Sequence, residues 1–171
     1  MANSAAPTTL QRYAALKQFL LDNGVANVRM LWLSNSDEGL EKNQYPAAGF
    51  LPEPENITSN HGGFDTEGRV KIAVWFWPDG SGPYSDTFGG WDNVFQFRDD
   101  ITSGSKSFAE WFPTKAGLGY GSGQFIATLE GFELVSLTGT DDSPIGAILT
   151  VKWNFSEGPA QGQSAINMAE D

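Results

Sequence analysis

The stretch Ile145-Gly146-Ala147-Ile148-Leu149-Thr150-Val151-Lys152-Trp153-Asn154-Phe155 alternates with a period of two: Ile145, Ala147, Leu149, Val151, Trp153 and Phe155 share one side, and Gly146, Thr150, Lys152 and Asn154 fall largely on the other. Successive side chains of a β-strand point to opposite faces, so this pattern predicts a strand with one face on a core. Residues 125–137 carry a second extended pattern, with Gly131 placed for a bulge, and pair naturally with the first across a turn rich in Gly and Asp.

Working towards the N-terminus, Val94, Phe97, Ile101, Phe108 and Trp111 recur at helical spacings and predict a second helix, broken near Gly104 and stopped by Pro113. The glycine-rich residues 117–123 predict a flexible connection. Residues 69–77 alternate again: Val70, Ile72, Val74 and Phe76 form a core face, and Arg69, Lys71, Ala73, Trp75 and Trp77 lie opposite. Asp79-Gly80-Ser81-Gly82-Pro83 ends that strand, and residues 53–68 read as a polar loop. Residues 45–51 predict a strand entered at Pro46; Pro52 and Pro54 beyond it deny donors to a ladder and suggest a sheet edge. Residues 28–33 read as a short buried strand, followed by the turn-like Ser34-Asn35-Ser36-Asp37-Glu38-Gly39. The first helix has Thr8 as its cap, Gln11 completing a capping box and Gly24 closing it. Its expected core face comprises Leu10, Tyr13, Leu16, Lys17, Leu20 and Leu21, with the lysine stem along the edge.

The order helix, three strands, helix, two strands predicts an α+β fold in which a mostly antiparallel sheet packs on helices. Residues 1–155 are expected to form one domain and the small, polar residues 156–171 a flexible tail. A length of 171 residues with 40% hydrophobic and 18% charged residues suits a single core. The net charge of −11 repels phosphate backbones and anionic membranes. No run of about 18 apolar residues is present to span a bilayer, and no signal-peptide pattern opens the chain, so function without secretion is expected. The absence of cysteine removes disulfides and thiolate chemistry, and the sequons at Asn56 and Asn154 carry no weight without a secretory signal.

No catalytic constellation, metal site or cofactor motif emerges. His61 stands alone in a loop sequence, where one histidine cannot form a usual zinc site. The glycine run 117–123 leads into a strand, whereas a phosphate-cradling loop leads into a helix. Asp99-Asp100 reads as a solvated helix face beside Arg98, Asp141-Asp142 as a turn, and residues 79–86 lack calcium-loop spacing. Trp75, Trp77 and Trp91 are the open question, because Trp75 and Trp77 lie opposite the aliphatic stripe. Burial under the second helix or the long loops, a protein interface and stacking on sugar rings all fit them.

The order of elements resembles the small bacteriophage tail terminator and neck proteins over about residues 8–155. Local echoes are Tyr45-Pro46-Ala47-Ala48-Gly49-Phe50-Leu51, similar to their proline-led second strand, and the alternating last strand 145–155. The resemblance implies a non-enzymatic virion subunit, a homo-oligomer that forms a ring, typically of six copies. Such a ring caps the tail tube, meets neck or collar proteins and lets DNA pass without specific binding. An acidic channel wall fits that work, because its repulsion acts within about 8 Å at physiological salt. The loop 34–68 and the polar tail depart from the smaller members of that family. Phe50, Leu51, Trp75, Trp77 and Trp91 are the candidate subunit contacts, chosen as apolar groups expected at the surface. The competing expectations are a carbohydrate-binding module using surface tryptophans and a small hydrolase using two carboxylates brought together by the fold.

Overall fold

The computed structural model describes residues 6–30, 40–78, 88, 90–118, 125–136 and 144–157. Among them the elements run α1 (Thr9–Asp22), β1 (Asn27–Met30), a short 3-10 turn (Lys42–Gln44), β2 (Ala47–Pro52), β3 (Asn56–Asn60), β4 (Gly63–Phe76), α2 (Trp91–Thr102), α3 (Phe108–Lys115), β5 (Phe125–Ser136) and β6 (Ile145–Glu157). The fold is α+β with a mostly antiparallel sheet. Five strands stand in the order β1-β2-β4-β6-β5, and β3 pairs with the first half of β4. Only β1 and β2 run parallel among the described strands.

The alternation in β6 does what its pattern predicts, since Ile145, Ala147, Leu149, Val151, Trp153 and Phe155 are all buried. Through the register Ile72↔Leu149 and Val70↔Val151, the stripe of β4 lies on the same face. Ala48 and Phe50 of β2 join it, and the buried sides of α1, α2 and α3 close over it in one core. Each fully buried Phe or Leu side chain contributes about 1.5–3 kcal/mol, so this face dominates the stability. In β5 the register slips between Leu129 and Gly131, the bulge that Gly131 marks in the sequence.

The opposite face is divided. At one end Leu40, Ala47, Ala73 and Trp75 form a second, smaller cluster with half-buried Tyr45, Val135 and Ile148 against it. At the other end Arg69 stands directly across from Lys152. That like-charge pair is relieved by Arg69–Glu130 at 3.0 Å and Lys152–Glu67 at 3.1 Å, with Lys71–Glu53 at 3.5 Å beside them.

Four sequence expectations are corrected. Residues 53–68 are not a loop: they hold β3 and the start of β4, joined through His61 and Gly62, whose φ is 96°. The ribbon was hidden because most of its side chains are polar and exposed. β2 is not an edge, since it lies between β1 and β4; Pro52 is its last residue and Pro46 precedes its first, so neither interrupts the ladder. The first predicted strand is present from Asn27 to Met30, and its expected continuation over 31–33 lies outside the described residues. Pro113 does not stop the helix but lies inside α3. The carbonyl its missing N–H leaves free is that of the exposed Ala109, and Ala116 N still donates to Phe112 O at 3.3 Å.

The fourth correction concerns α1. Its buried residues are Arg12, Ala15, Leu16, Phe19 and Leu20, whereas Leu10 is 79% exposed and Lys17 and Leu21 are exposed too. At 3.6 residues per turn the true core face is rotated by roughly 100° from the expected one. The break between α2 and α3 does fall at Gly104, which takes φ 84°. The turn 34–39, the loops 79–86 and 119–123, Asp141-Asp142 and the tail from 158 lie outside the described residues; β6 itself continues to Glu157.

Candidate functional site: an aromatic and amide cleft at the end of the sheet

The C-terminal end of α1 sets one boundary of the site. Val25 N donates to Leu20 O at 3.0 Å and Gly24 N to Leu21 O at 3.1 Å. With Gly24 at φ 88° and Val25 and Leu20 both buried, this is a Schellman closure with its apolar contact. The chain therefore turns sharply past Asp22, Asn23 and Gly24. Asn23 Nδ2 donates to Phe19 O at 3.0 Å and to Lys106 O at 3.2 Å, which ties the helix end to the α2–α3 connection.

Between this corner, one flank of α2 and the adjoining ends of β2 and β4 lies a cleft of about 530 Å³. Tyr45 and Trp77 supply an aromatic wall, their ring centroids 5.6 Å apart and their planes inclined at 53°. Facing residues Asn93, Gln96 and Asp100 come from successive turns of α2, so they form one stripe. Gln96 Nε2 donates to Asp100 Oδ1 at 2.8 Å, fixing both planar groups.

Asp22 completes the polar set. Trp111 Nε1 donates to its Oδ2 at 2.8 Å and Gln18 Nε2 to its Oδ1 at 2.8 Å. These bonds, the indole first, hold its carboxyl below the usual carboxylate range. They also offset the unfavourable position of an anion at a helix C-terminus. Lys42 and Lys106 balance Asp22 and Asp100, so the described lining residues carry no net charge within a chain that carries −11.

The flank of α2 turned away from the cleft bears a second feature. Trp91 stacks on Phe95 with centroids 6.2 Å apart, and Phe88 meets Phe95 edge-on at 6.2 Å. Phe88 is 62% exposed and Phe95 is exposed as well, while Trp91 also packs against the core.

The five contact residues expected from the sequence separate accordingly. Phe50 belongs to the main core, edge-on to Tyr13 at 5.3 Å, and Trp75 is buried in the smaller cluster. Both therefore lose the surface exposure on which they were chosen. Trp75 is covered by Leu40 and Tyr45 from the segment before β2, not by the second helix. Leu51 is half-buried on the face opposite Phe50. Trp77 lines the cleft and Trp91 joins the aromatic group on α2. The fold does not bring the tryptophans into one platform.

Elsewhere, His61 is exposed in the β3–β4 turn, and Arg98 bonds Asp99 at 3.0 Å as a solvated pair would. Among the described residues no group of three His, Asp or Glu side chains is placed to hold a metal ion. No described helix is long and apolar enough to cross a membrane. No family model matches the chain, and no curated protein is significantly similar to it.

Proposed function

We propose that this protein is a structural subunit of a bacteriophage head-to-tail junction: a ring that caps the tail tube, contacts neck or collar proteins and leaves a channel for DNA. The observation that carries the reading is the sheet's outer strand. β5 is 12 residues long and among the described strands pairs on one side only, with β6. It carries exposed Ile126 and Leu134. An outermost strand that carries exposed apolar side chains is a surface on which another chain can dock.

The other end of the sheet is β1, a different surface. A contact from β5 of one copy to β1 of the next is therefore heterologous, and heterologous contacts close into rings when the rotation allows. The charge of −11 per subunit suits a channel wall that does not grip DNA. Helices on one face of a mostly antiparallel sheet are in keeping with the resemblance drawn from the sequence, with β3 and the division of α2 from α3 added to the order on which it was drawn.

Native mass spectrometry and electron microscopy of the full chain, alone and with tail tubes, test the proposal. Rings, sixfold as the resemblance implies, are expected, either free or on tube ends. Replacing both Ile126 and Leu134 by Lys is expected to abolish them while leaving the circular dichroism spectrum unchanged. A wild-type chain that remains monomeric at high concentration and ignores tube ends overturns the reading. So do virions lacking the protein whose tails are of uniform length and joined to full heads.

A further inference from the structure

We infer that the cleft lined by Tyr45, Trp77, Asn93, Gln96 and Asp100 is a binding site for a neutral saccharide, one to three linked sugar rings. Its volume of about 530 Å³ lies within the range of roughly 300–1,000 Å³ that encloses small ligands. Three features select the class of ligand.

The first is the pairing of walls. Tyr45 and Trp77 are half-buried, so their orientation is held while ring surface remains in the cleft. The C–H-rich face of a pyranose packs on such rings and loses little by leaving water. Across from them, carboxamides and a carboxylate repeat along α2. Each planar group presents paired donors or acceptors, which matches the spacing of vicinal hydroxyls. The Gln96–Asp100 bond at 2.8 Å fixes part of this wall before any ligand arrives.

The second is charge. The lining places Lys42 and Lys106 against Asp22 and Asp100. A phosphate or sulfate ligand would meet carboxylates that the surrounding −11 chain reinforces, and a cationic ligand would compete with two lysines. A neutral, hydroxyl-rich ring meets neither penalty. The third is polarity: an apolar peptide side chain could use the aromatic wall but would cover the Asn93 carboxamide and the Gln96 carbonyl oxygen without offering them partners.

The site concerns a different surface from the β5 edge, so it stands or falls independently of the ring. It also moves the sugar expectation from the tryptophans as a group to Trp77 with Tyr45. The full chain is to be screened on an array of neutral and acidic oligosaccharides. Maltotriose, cellotriose and chitotriose are then titrated by calorimetry and by saturation-transfer NMR, with a heparin hexasaccharide as the anionic probe and an aromatic tripeptide as the peptide probe.

At least one neutral trisaccharide is expected to bind, with its ring protons closest to the protein in the NMR experiment. Trp77→Ala should weaken that binding at least about tenfold, from the loss of stacking and of buried apolar area. Trp77→Phe should stay within about threefold of wild type, because it keeps an aromatic face. Gln96→Ala, on the helix surface, should weaken binding without lowering the melting temperature, which separates recognition from folding. Trp91→Phe, outside the cleft, should leave the affinity unchanged. A blank array with no saturation transfer at millimolar trisaccharide overturns the inference. So does binding confined to the heparin probe or the tripeptide, or saccharide binding that Trp77→Ala and Gln96→Ala both leave intact.

Discussion

Arg12 provides the sharpest test of how the core is held. Its side chain is 2% exposed, and its guanidinium carbon lies 4.8 Å from the ring centre of Trp153 and 4.4 Å from that of Phe155. Nη2 donates to Thr9 Oγ1 at 2.9 Å and Nη1 to Glu55 Oε1 at 3.2 Å. Nε, also buried, has no hydrogen-bond partner among the described residues. In Arg12→Ala the lost stem removes about 0.8 kcal/mol per methylene, and each ring contact about 0.5–1 kcal/mol. The Glu55 pair adds little, because that carboxylate is 32% exposed and partly screened. Releasing a guanidinium with an unpartnered N–H returns about 1–3 kcal/mol. A space left between two aromatic rings raises the cost again, so a net loss of about 3 kcal/mol is expected. Arg12→Met keeps most of the volume and removes the buried charge, and buried ion pairs replaced by apolar groups often cost nothing; a change below about 1 kcal/mol is expected. For a chain of this size these values correspond to a melting temperature lowered by roughly 6–12 °C for Ala and by under about 4 °C for Met. Urea denaturation and calorimetry of the two variants decide the matter. If Met costs as much as Ala, the charge holds the site and the volume argument is refuted. If Ala costs under about 1 kcal/mol, the side chain does not hold the two rings at all.

Two further perturbations have signs fixed by the structure. A Cβ on Gly146 would overlap the carbonyl oxygen of Val74 on the paired strand and approach the Trp75 ring to 3.0 Å. Gly146→Ala should therefore lose more than about 2 kcal/mol in urea denaturation, while Gly131→Ala, whose nearest neighbour would be Thr150 Oγ1 at 3.7 Å, should stay within about 1 kcal/mol. Trp111→Phe removes the main donor to Asp22, so the Asp22 carboxyl should titrate closer to its ordinary value in a carbon-13 NMR experiment. Because the folded pKa of Asp22 lies below its unfolded one, its contribution is present above the ordinary carboxylate range and is lost as pH falls through the folded value. The variant should accordingly lose less stability than wild type on acidification over that range.

Much of the fold is legible where burial is one-sided. The stripes of β4 and β6 are apolar on the core face at every second residue, and a one-residue error would turn all of them to the opposite face, so sequence and structure agree there. The capping box at Thr8 and Gln11 is local chemistry and also reads directly: Gln11 N donates to Thr8 Oγ1 and Thr8 N to Gln11 Oε1. The rotation of α1 was not legible, because counting apolar residues excludes an arginine that is buried only where two rings from the distant β6 meet it. β3 was hidden for the opposite reason. Asn56, Thr58 and Ser59 are exposed, and what makes them a strand is backbone pairing to β4.

The cleft shows why a search by residue type finds half a site. Trp77 stands out in the sequence, and alternation pairs it with Trp75. Strand geometry alone would place the two on one face, but β4 ends at Phe76. Trp77 therefore leaves the sheet and meets Tyr45, while Trp75 stays inside it beneath Leu40. The partners that matter most, Asn93, Gln96 and Asp100, are ordinary polar residues of a helix, spaced three and four apart. That spacing was visible and marks a single stripe, yet a polar stripe on an amphipathic helix is expected on every solvent-facing side. Only the packing of α2 against the core through Val94, Phe97 and Ile101 turns one flank towards Tyr45 and Trp77 and the other, with Trp91 and Phe95, away from them. The two flanks of one helix thus differ in form: a cleft with aromatic and amide walls on one side, and an open aromatic surface on the other.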